Sequence, residues 1–144
     1  MVTLDAETPI QGLMSKDVVL LGKETTIPQA LATLREFLLS TAPVVDERGE
    51  CVGVFGLADA APLVLDGLGF TDDKVSDWMT EKVRWLPIGA TAGDAARMMA
   101  DEGIHHVVVM DEKSIRGIVS SLDLVRFLVR ALPPAQRKPT RSTL

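Results

Sequence analysis

The sequence has little of what cross-links a protein or holds it in a membrane. Its 144 residues include one cysteine, Cys51, so an intramolecular disulfide is excluded and a reducing compartment is expected. No apolar run approaches the ~20 residues of a membrane-spanning helix, and the acidic start MVTLDAETPI lacks the basic region of a secretory signal. We therefore expect a cytoplasmic protein without membrane contact, with Cys51 packed in its core.

Positive charge and metal-binding side chains are also scarce. Lys and Arg number 15 against 20 Asp and Glu, a net charge of −5, which argues against a nucleic-acid partner, although a local basic pocket can still hold a phosphate. The two histidines, His105 and His106, are adjacent, and neighbouring residues of a strand point to opposite faces, so they cannot share one metal ion. With no activated nucleophile and no P-loop in the sequence, we expect no enzymatic activity.

The stretch from Gly103 to Leu128 has the clearest local pattern. The apolar run 107–110 and the run 115–119 are separated by polar turn formers, which predicts two antiparallel strands. Apolar residues at helical spacing then predict a helix over 122–131. The order is strand, turn, strand, helix.

The same pattern occurs earlier in the chain, so the sequence is a tandem repeat. Matching positions lie 65 residues apart before the hairpin turn (79 − 14) and 64 apart after it (117 − 53). The matching pairs are Met14 and Met79, Thr26 and Thr91, Asp46 and Asp111, Gly53 and Gly117, and Asp59 and Asp123. The first repeat therefore has one more residue in its hairpin turn.

Each repeat also predicts an opening strand and a first helix. The strands are expected at 18–21 and 83–86, and Thr26-x-x-Gln29 and Thr91-x-x-Asp94 are capping boxes that start helices. Gly103 is expected to end the helix of the second repeat. The hairpin of the first repeat is expected over 43–55 and its second helix over 58–65. The buried stripes are predicted to contain Ile27, Ala30, Leu31, Leu34 and Leu38 in one repeat and Ala95, Ala96, Met98 and Met99 in the other.

Taken together, these motifs resemble the cystathionine β-synthase (CBS) domain pair, or Bateman module. LMSKDVVLL and WMTEKVRWL resemble its opening strand, TAPVVDERGECVGVF and HHVVVMDEKSIRGIV its hairpin, and SSLD its Ser/Thr-x-x-Asp motif. The resemblance implies an α/β (α+β) fold in which tandem β-α-β-β-α repeats pack as a pseudo-two-fold pair. The expected divisions are an N-terminal arm (1–12), repeat 1 (13–66), a connector (67–76), repeat 2 (77–131) and a disordered tail (132–144).

The motif Ser120-x-x-Asp123 has two interpretations. As a capping box it stabilises the start of a helix by ~1 kcal/mol. As a binding motif, its hydroxyl and carboxylate at a helix N-terminus suit a ribose diol and a phosphate, and the resemblance implies that the aspartate takes the ribose hydroxyls. In repeat 1 the motif keeps Asp59 but has Gly56 at the hydroxyl position. The second site is therefore expected to be weaker or empty, with Asp59 as a helix cap the alternative.

The resemblance further implies that each pocket is composite. The site on Asp123 would use Val19, Leu39, Ser40 and Thr41 from repeat 1, and the site on Asp59 would use Val83, Ile104 and His105. His105 and His106 would lie near the phosphates of a nucleotide; the alternative is one buried and one solvated histidine. Val108 stands where repeat 1 has Pro43.

The sequence and the resemblance together predict a non-enzymatic regulatory or sensor module. Its ligand is expected to be an adenine nucleotide (AMP, ADP or ATP), with S-adenosylmethionine as a further candidate, and its partners a second copy of the chain and a downstream protein. The alternative is a dimerisation or interaction module with degenerate pockets. A hydrolytic triad of Ser120, Asp123 and a histidine is disfavoured because Ser-x-x-Asp is not a nucleophile elbow.

Overall fold

The computed structural model describes residues 5–66 and 72–134. After a 3₁₀ turn at Ile10–Gly12, the elements are β1 (Leu21–Gly22), α1 (Ile27–Glu36), β2 (Thr41–Val45), β3 (Cys51–Gly56), α2 (Leu57–Asp66), α3 (Val75–Trp78), β4 (Trp85–Pro87), α4 (Ala92–Glu102), β5 (His106–Asp111), β6 (Ser114–Ser120) and α5 (Ser121–Ala131). Residues 1–4 of the predicted arm, residues 67–71 of the predicted connector and residues 135–144 of the predicted tail lie outside the described residues. The outside residues include Gly67 and Gly69, which are predicted to end the second helix of repeat 1.

Each repeat forms its own three-stranded sheet. In repeat 1, β1 runs parallel to β2, which is antiparallel to β3, and β4, β5 and β6 repeat this order in repeat 2. Both hairpins have a register irregularity at matching places, after Val44 and after Val109. The predicted α/β fold of tandem repeats in a pseudo-two-fold pair is confirmed.

Short-range sequence signals define the helix starts. The Thr26 hydroxyl accepts from the Gln29 backbone N–H (3.4 Å), and the Thr91 hydroxyl accepts from the Asp94 N–H (3.2 Å). Each cap is completed by a side chain that accepts from the backbone N–H of the capping residue. These capping boxes satisfy backbone donors that the first turn of a helix leaves unpaired, and both predictions are confirmed.

Helix α1 ends in a Schellman motif with a leucine in the left-handed conformation. The Leu39 N–H donates to the Leu34 carbonyl (2.8 Å), and the Leu38 N–H donates to the Arg35 carbonyl (3.2 Å). Leu38 has φ +55° and is 92% exposed, so its predicted place in the buried stripe is wrong. The helix has stopped before this position, so Leu38 no longer follows the helical period. In repeat 2 the left-handed residue is Gly103 (φ +63°), as predicted.

Three further predictions need correction. Ala96 is exposed, because α4 buries a narrow stripe that includes Ala95 and Met99. The opening strands start later than predicted, since the residues at 18–20 and 83–84 cross between the repeats before pairing begins. Cys51 lies in β3 but is only half-buried, with its thiol directed at the Gly53 carbonyl (3.6 Å).

The N-terminal arm packs into repeat 2, not into the repeat that it precedes. The Ile10 N–H donates to the Ala90 carbonyl (2.9 Å), and the Thr8 carbonyl accepts from the Ala92 N–H (2.7 Å) at the start of α4. The Ile10 side chain is fully buried in the hydrophobic cluster of repeat 2, which also contains Val107. Repeat 2 therefore completes its core with a segment from the other end of the chain.

The segment that opens repeat 2 does the reverse. The Val75 N–H donates to the Thr25 carbonyl (2.8 Å), and the Asp73 carbonyl accepts from the Ile27 N–H (3.0 Å) at the start of α1. Val75, 65 residues after Ile10, is fully buried in the cluster of repeat 1. We call this arrangement reciprocal docking: each repeat's opening segment completes the core of the other repeat.

Two glycines allow the crossing segments to approach the sheets. A Cβ on Gly117 would lie 2.6 Å from the Sδ of Met14, and one on Gly53 would lie 2.6 Å from the Sδ of Met79. Next to these contacts, Ser15 pairs with Ile118 of β6, as its counterpart Thr80 pairs with Val54 of β3. The matched positions explain why both repeats have methionine and glycine at this spacing.

Candidate functional site: the cleft between the repeats

A cleft with a cavity volume of about 880 Å³ lies between the two repeats. Its lining includes the helix starts that carry Asp59 and Asp123, together with the crossing segments 15–19 and 80–84. Pockets for small molecules typically enclose roughly 300–1,000 Å³. The cleft is therefore large enough for a nucleotide-sized ligand.

At one end of the cleft, Asp123 is held by the capping box of α5. Its Oδ2 accepts from the Ser120 backbone N–H (2.8 Å) and from the Ser120 hydroxyl (3.0 Å), while that hydroxyl accepts from the Asp123 N–H (3.2 Å). Its Oδ1 lies 3.8 Å from an Arg126 nitrogen, outside hydrogen-bond distance, and the Asp123 side chain is only 12% exposed. The cap thus uses one carboxylate oxygen and leaves the other able to accept further hydrogen bonds.

At the other end, both oxygens of Asp59 have partners. Its Oδ2 accepts from the Gly56 N–H (2.8 Å), and its Oδ1 accepts from the Thr80 hydroxyl (2.8 Å) of the crossing segment. Thr80 is the counterpart of Ser15, yet no hydrogen bond joins Ser15 to Asp123 among those found in the described part of the chain. The two ends therefore differ in available acceptor capacity as well as in the glycine that replaces serine.

The two histidines lie at the Asp123 end. His106 pairs with Ser120 across the hairpin, and the His105 carbonyl accepts from the Ser121 N–H (2.8 Å). His105 is exposed and His106 is half-buried. Burial lowers the pKa of His106, and His105 lowers it further, against the opposing effect of Asp123. His106 is therefore neutral at pH 7 and can donate one hydrogen bond and accept another.

The cleft is less acidic than the chain as a whole. Its charged lining residues are Asp17, Asp59 and Asp123 against Lys82, Arg84 and Arg126. Arg84 makes a two-point ion pair with Glu102 (2.6 and 2.9 Å), whereas no ion pair is found for Lys82 with any residue in the described ranges. A balanced lining with an available lysine can accept an anionic ligand that the overall charge of −5 would repel.

Of the predicted site residues, all except Val83 line this cleft. They are Val19, Leu39, Ser40, Thr41, Gly56, Asp59, Ile104, His105, His106, Ser120 and Asp123. Lys82 and Arg84 line it in place of Val83, because alternate residues of an extended segment face opposite sides. The structure brings the predicted residues together, and their part in ligand binding stays a prediction.

Each strand start lies beside the helix start of its own repeat, while the composite grouping that the resemblance implied stays a prediction. Thr41 pairs with Gly56, and the Ser40 carbonyl accepts from the Leu57 N–H (2.9 Å), so this strand start lies at the Asp59 end. The residues 104–106 correspondingly lie at the Asp123 end. What each end takes from the other repeat is a crossing segment, a feature visible in the sequence only as the 65-residue spacing.

In the described ranges, 5–66 and 72–134, no group of three or more His, Cys, Asp and Glu side chains is arranged to hold a metal ion. Within the same ranges, none of the helices has the length and apolar character that crossing a membrane requires.

Two tandem stretches of the sequence, residues 10–66 and 75–130, match the CBS domain. The chain belongs to the CBS domain family. Each matched stretch contains one three-stranded sheet and one helix start with its aspartate, so the family's repeat coincides with the structural repeat. The resemblance found in the sequence motifs is confirmed.

Relatives and solved structures agree with this assignment. Protein MJ1404 of Methanocaldococcus jannaschii is 29% identical over 136 residues, a match that covers 85% of this chain. This CBS pair spans only 32% of that relative and 42% of a second one from the same organism. The CBS domain pair of protein MJ0100, solved with 5′-methylthioadenosine and S-adenosyl-L-methionine, is 24% identical with a TM-score of 0.76, covering 85% of this chain and 96% of that one. CBSX2, solved with AMP, is 21% identical with a TM-score of 0.73, covering 85% and 97%.

Proposed function

We propose that this CBS pair is a non-enzymatic sensor module that binds an adenosine-containing ligand of the AMP, ADP and ATP class in the cleft between its repeats. S-adenosylmethionine shares the adenosine group and belongs among the candidates. The observation that carries the proposal is Asp123, whose nearly buried carboxylate has one oxygen fixed by Ser120 and the other free to accept. A ribose diol offers the two neighbouring hydroxyls that such an oxygen binds.

The rest of the cleft suits the other parts of the ligand. Lys82 and the exposed His105 can bind phosphate oxygens, and the apolar residues Val19 and Leu39 can cover the base. The complexes of MJ0100 with 5′-methylthioadenosine and S-adenosyl-L-methionine, and of CBSX2 with AMP, support the same ligand class by analogy. The chain's own ligand then regulates an attached or separate downstream protein.

Calorimetric titration with AMP and ATP tests the Asp123 site. Charge-assisted hydrogen bonds contribute roughly 1.5–3 kcal/mol each, so Asp123→Ala should weaken binding at least about tenfold. Asp59→Ala is the matched control in the same fold position and should have a much smaller effect, because the Asp59 carboxylate is already engaged by Gly56 and Thr80.

Stability needs its own control, since both substitutions remove a capping carboxylate at a cost of about 0.5–2 kcal/mol. Asp123→Asn keeps an acceptor for the Ser120 N–H and loses the charge, so it separates the cap from the binding group. Equal losses from the two alanine variants would mean two working sites. Clear wild-type binding that Asp123→Ala leaves intact would reduce the motif to a helix cap.

The non-enzymatic part is tested by incubating the pure protein with ATP. We expect no steady release of phosphate, because the Ser120 hydroxyl is engaged in the capping box, where it donates to the Asp123 carboxylate and accepts from the Asp123 N–H. Turnover that disappears on mutation of Ser120 or Asp123 would overturn this part of the proposal.

An interaction module is the second candidate, and the exposed face of α5 favours it. Its large apolar side chains are between 41% and 60% exposed, namely Leu122, Val125, Leu128 and Val129. Such a face is typical of a surface that another protein covers. We expect a homodimer through this face whether the protein is a sensor or an interaction module. A thermal-shift panel of adenosine ligands separates the two functions, because only a module that binds a ligand is raised in melting temperature by it.

A further inference from the structure

Leu38 combines three features that do not ordinarily occur together. Its backbone has φ +55°, its side chain is 92% exposed, and it lines the cleft. A left-handed conformation is unfavourable for a residue with a Cβ, and an exposed leucine gains nothing from burial. A feature of the fold or of the site must therefore account for the leucine.

The fold does not require it. In the Schellman motif that ends α1, the apolar contact is made by the next residue, Leu39, which packs against the cluster containing Leu34. At the matching position of repeat 2, Gly103 adopts the same conformation, and the Ile104 N–H closes the motif on the Met99 carbonyl (3.2 Å). Glycine thus suffices to end this helix, and repeat 1 has an apolar side chain in its place.

Residues held in unfavourable backbone conformations concentrate at binding sites, where a side chain is needed in one position. Here the side chain stands at the repeat 1 end of the cleft, two residues before Ser40, whose carbonyl binds the start of α2. That end has Gly56 where the other end has Ser120, and both carboxylate oxygens of Asp59 already accept hydrogen bonds. Its apolar lining includes Leu38 and Leu39.

We infer that Leu38 is a ligand-contacting residue that covers the apolar face of the ligand at this end of the cleft. The inference rests on the proposed function and adds a specificity determinant to it: ligands with a flat or apolar group here are favoured over equally charged ligands without one. A purine base or the methylthio group of 5′-methylthioadenosine has this chemistry. Binding then buries a side chain that the free protein leaves in water.

Two substitutions of Leu38 separate the loss of its side-chain contact with the ligand from the relief of its backbone strain. Leu38→Ala removes most of the apolar side chain and keeps a Cβ in the left-handed conformation, whereas Leu38→Gly removes both the side chain and the strain. We expect both variants to bind AMP and 5′-methylthioadenosine about five- to tenfold more weakly by calorimetry. Leu38→Gly should also raise the melting temperature of the ligand-free protein by about 2–4 °C, and Leu38→Ala should not. A gain in stability with a loss in affinity is not expected of a residue with a structural role.

Phe37→Ala is the matched control, because Phe37 is the preceding residue, is 53% exposed and does not line the cleft. It should leave both affinities unchanged. If Leu38→Ala binds as tightly as the wild type, or if Phe37→Ala loses as much affinity, the role of Leu38 is refuted while the proposed function stands. If the wild type binds neither AMP nor 5′-methylthioadenosine, the proposed function and this inference both fail.

Discussion

Substituting Ile10 by alanine tests whether reciprocal docking makes the two repeats one folding unit. The Ile10 side chain is fully buried in the cluster of repeat 2, although it belongs to the segment that precedes repeat 1. Truncating a fully buried isoleucine to alanine costs about 2–5 kcal/mol. For a chain of this size each kcal/mol lowers the melting temperature by roughly 2–4 °C, so we expect a decrease on the order of 10 °C.

The two tryptophans allow each repeat to be followed separately. Trp78 packs against the cluster of repeat 1, and Trp85 lies in β4 of repeat 2. In Trp85→Phe and Trp78→Phe backgrounds, fluorescence during denaturant unfolding reports on one repeat at a time. Because each core contains a segment of the other repeat, Ile10→Ala should lower both unfolding midpoints by the same amount.

Gln11→Ala is the control, because Gln11 is the exposed neighbour of Ile10 in the same arm. It should leave the free energy of unfolding reported by each tryptophan within ~0.5 kcal/mol of the wild-type value. A shift confined to the Trp85 signal, with the Trp78 midpoint unchanged, would show that the repeats unfold independently. The docked segments would then contribute to each core without coupling the two.

Three other predictions concern the site, its pH dependence and assembly. Thr80→Val removes the hydroxyl that donates to Oδ1 of Asp59, so AMP binding at the repeat 1 end of the cleft should strengthen. Calorimetry that shows neither a second binding event nor a gain in affinity would contradict this. Because burial lowers the pKa of His106, the unfolded state binds more protons than the folded state below about pH 6.5, so the free energy of unfolding should fall as pH decreases through that window. His106→Gln should reduce the difference between the denaturant midpoints measured at pH 7.5 and at pH 5.5. An unchanged difference would count against this role of His106. Leu128→Lys places a charge on the exposed apolar face of α5, so the mass measured by light scattering should change from that of a dimer to that of a monomer. A wild-type protein that is already monomeric would contradict the expected homodimer.

The features that the sequence predicted correctly are those determined by residues close together in the chain. A capping box such as Thr91-x-x-Asp94 needs three consecutive peptide units, and the left-handed Gly103 needs only the absence of a Cβ. The hairpins and helices follow from apolar periodicity in the same way. Repetition of these local signals at a constant spacing made the tandem fold predictable as well.

The features that were missed depend on partners far away in the chain. The strand predicted at 18–21 pairs only at Leu21–Gly22, because the preceding residues cross to the other repeat, and periodicity contains no information about the pairing partner. The hydrogen bond from Thr80 to Asp59 spans 21 residues between the two repeats. Leu38 was assigned to the core by helical spacing, although the helix had already ended. Burial and contact across the cleft are tertiary properties.

Reciprocal docking also bears on how such a chain can originate. A single repeat cut from this fold would present one segment for which it has no groove, and one groove for which it has no segment, because Ile10 and Val75 each fill the core of the other repeat. Two copies of the same single repeat would satisfy each other by exchanging these segments. A chain with two fused repeats satisfies this exchange within one molecule, so fusion replaces an encounter between two chains by a contact between two parts of one chain.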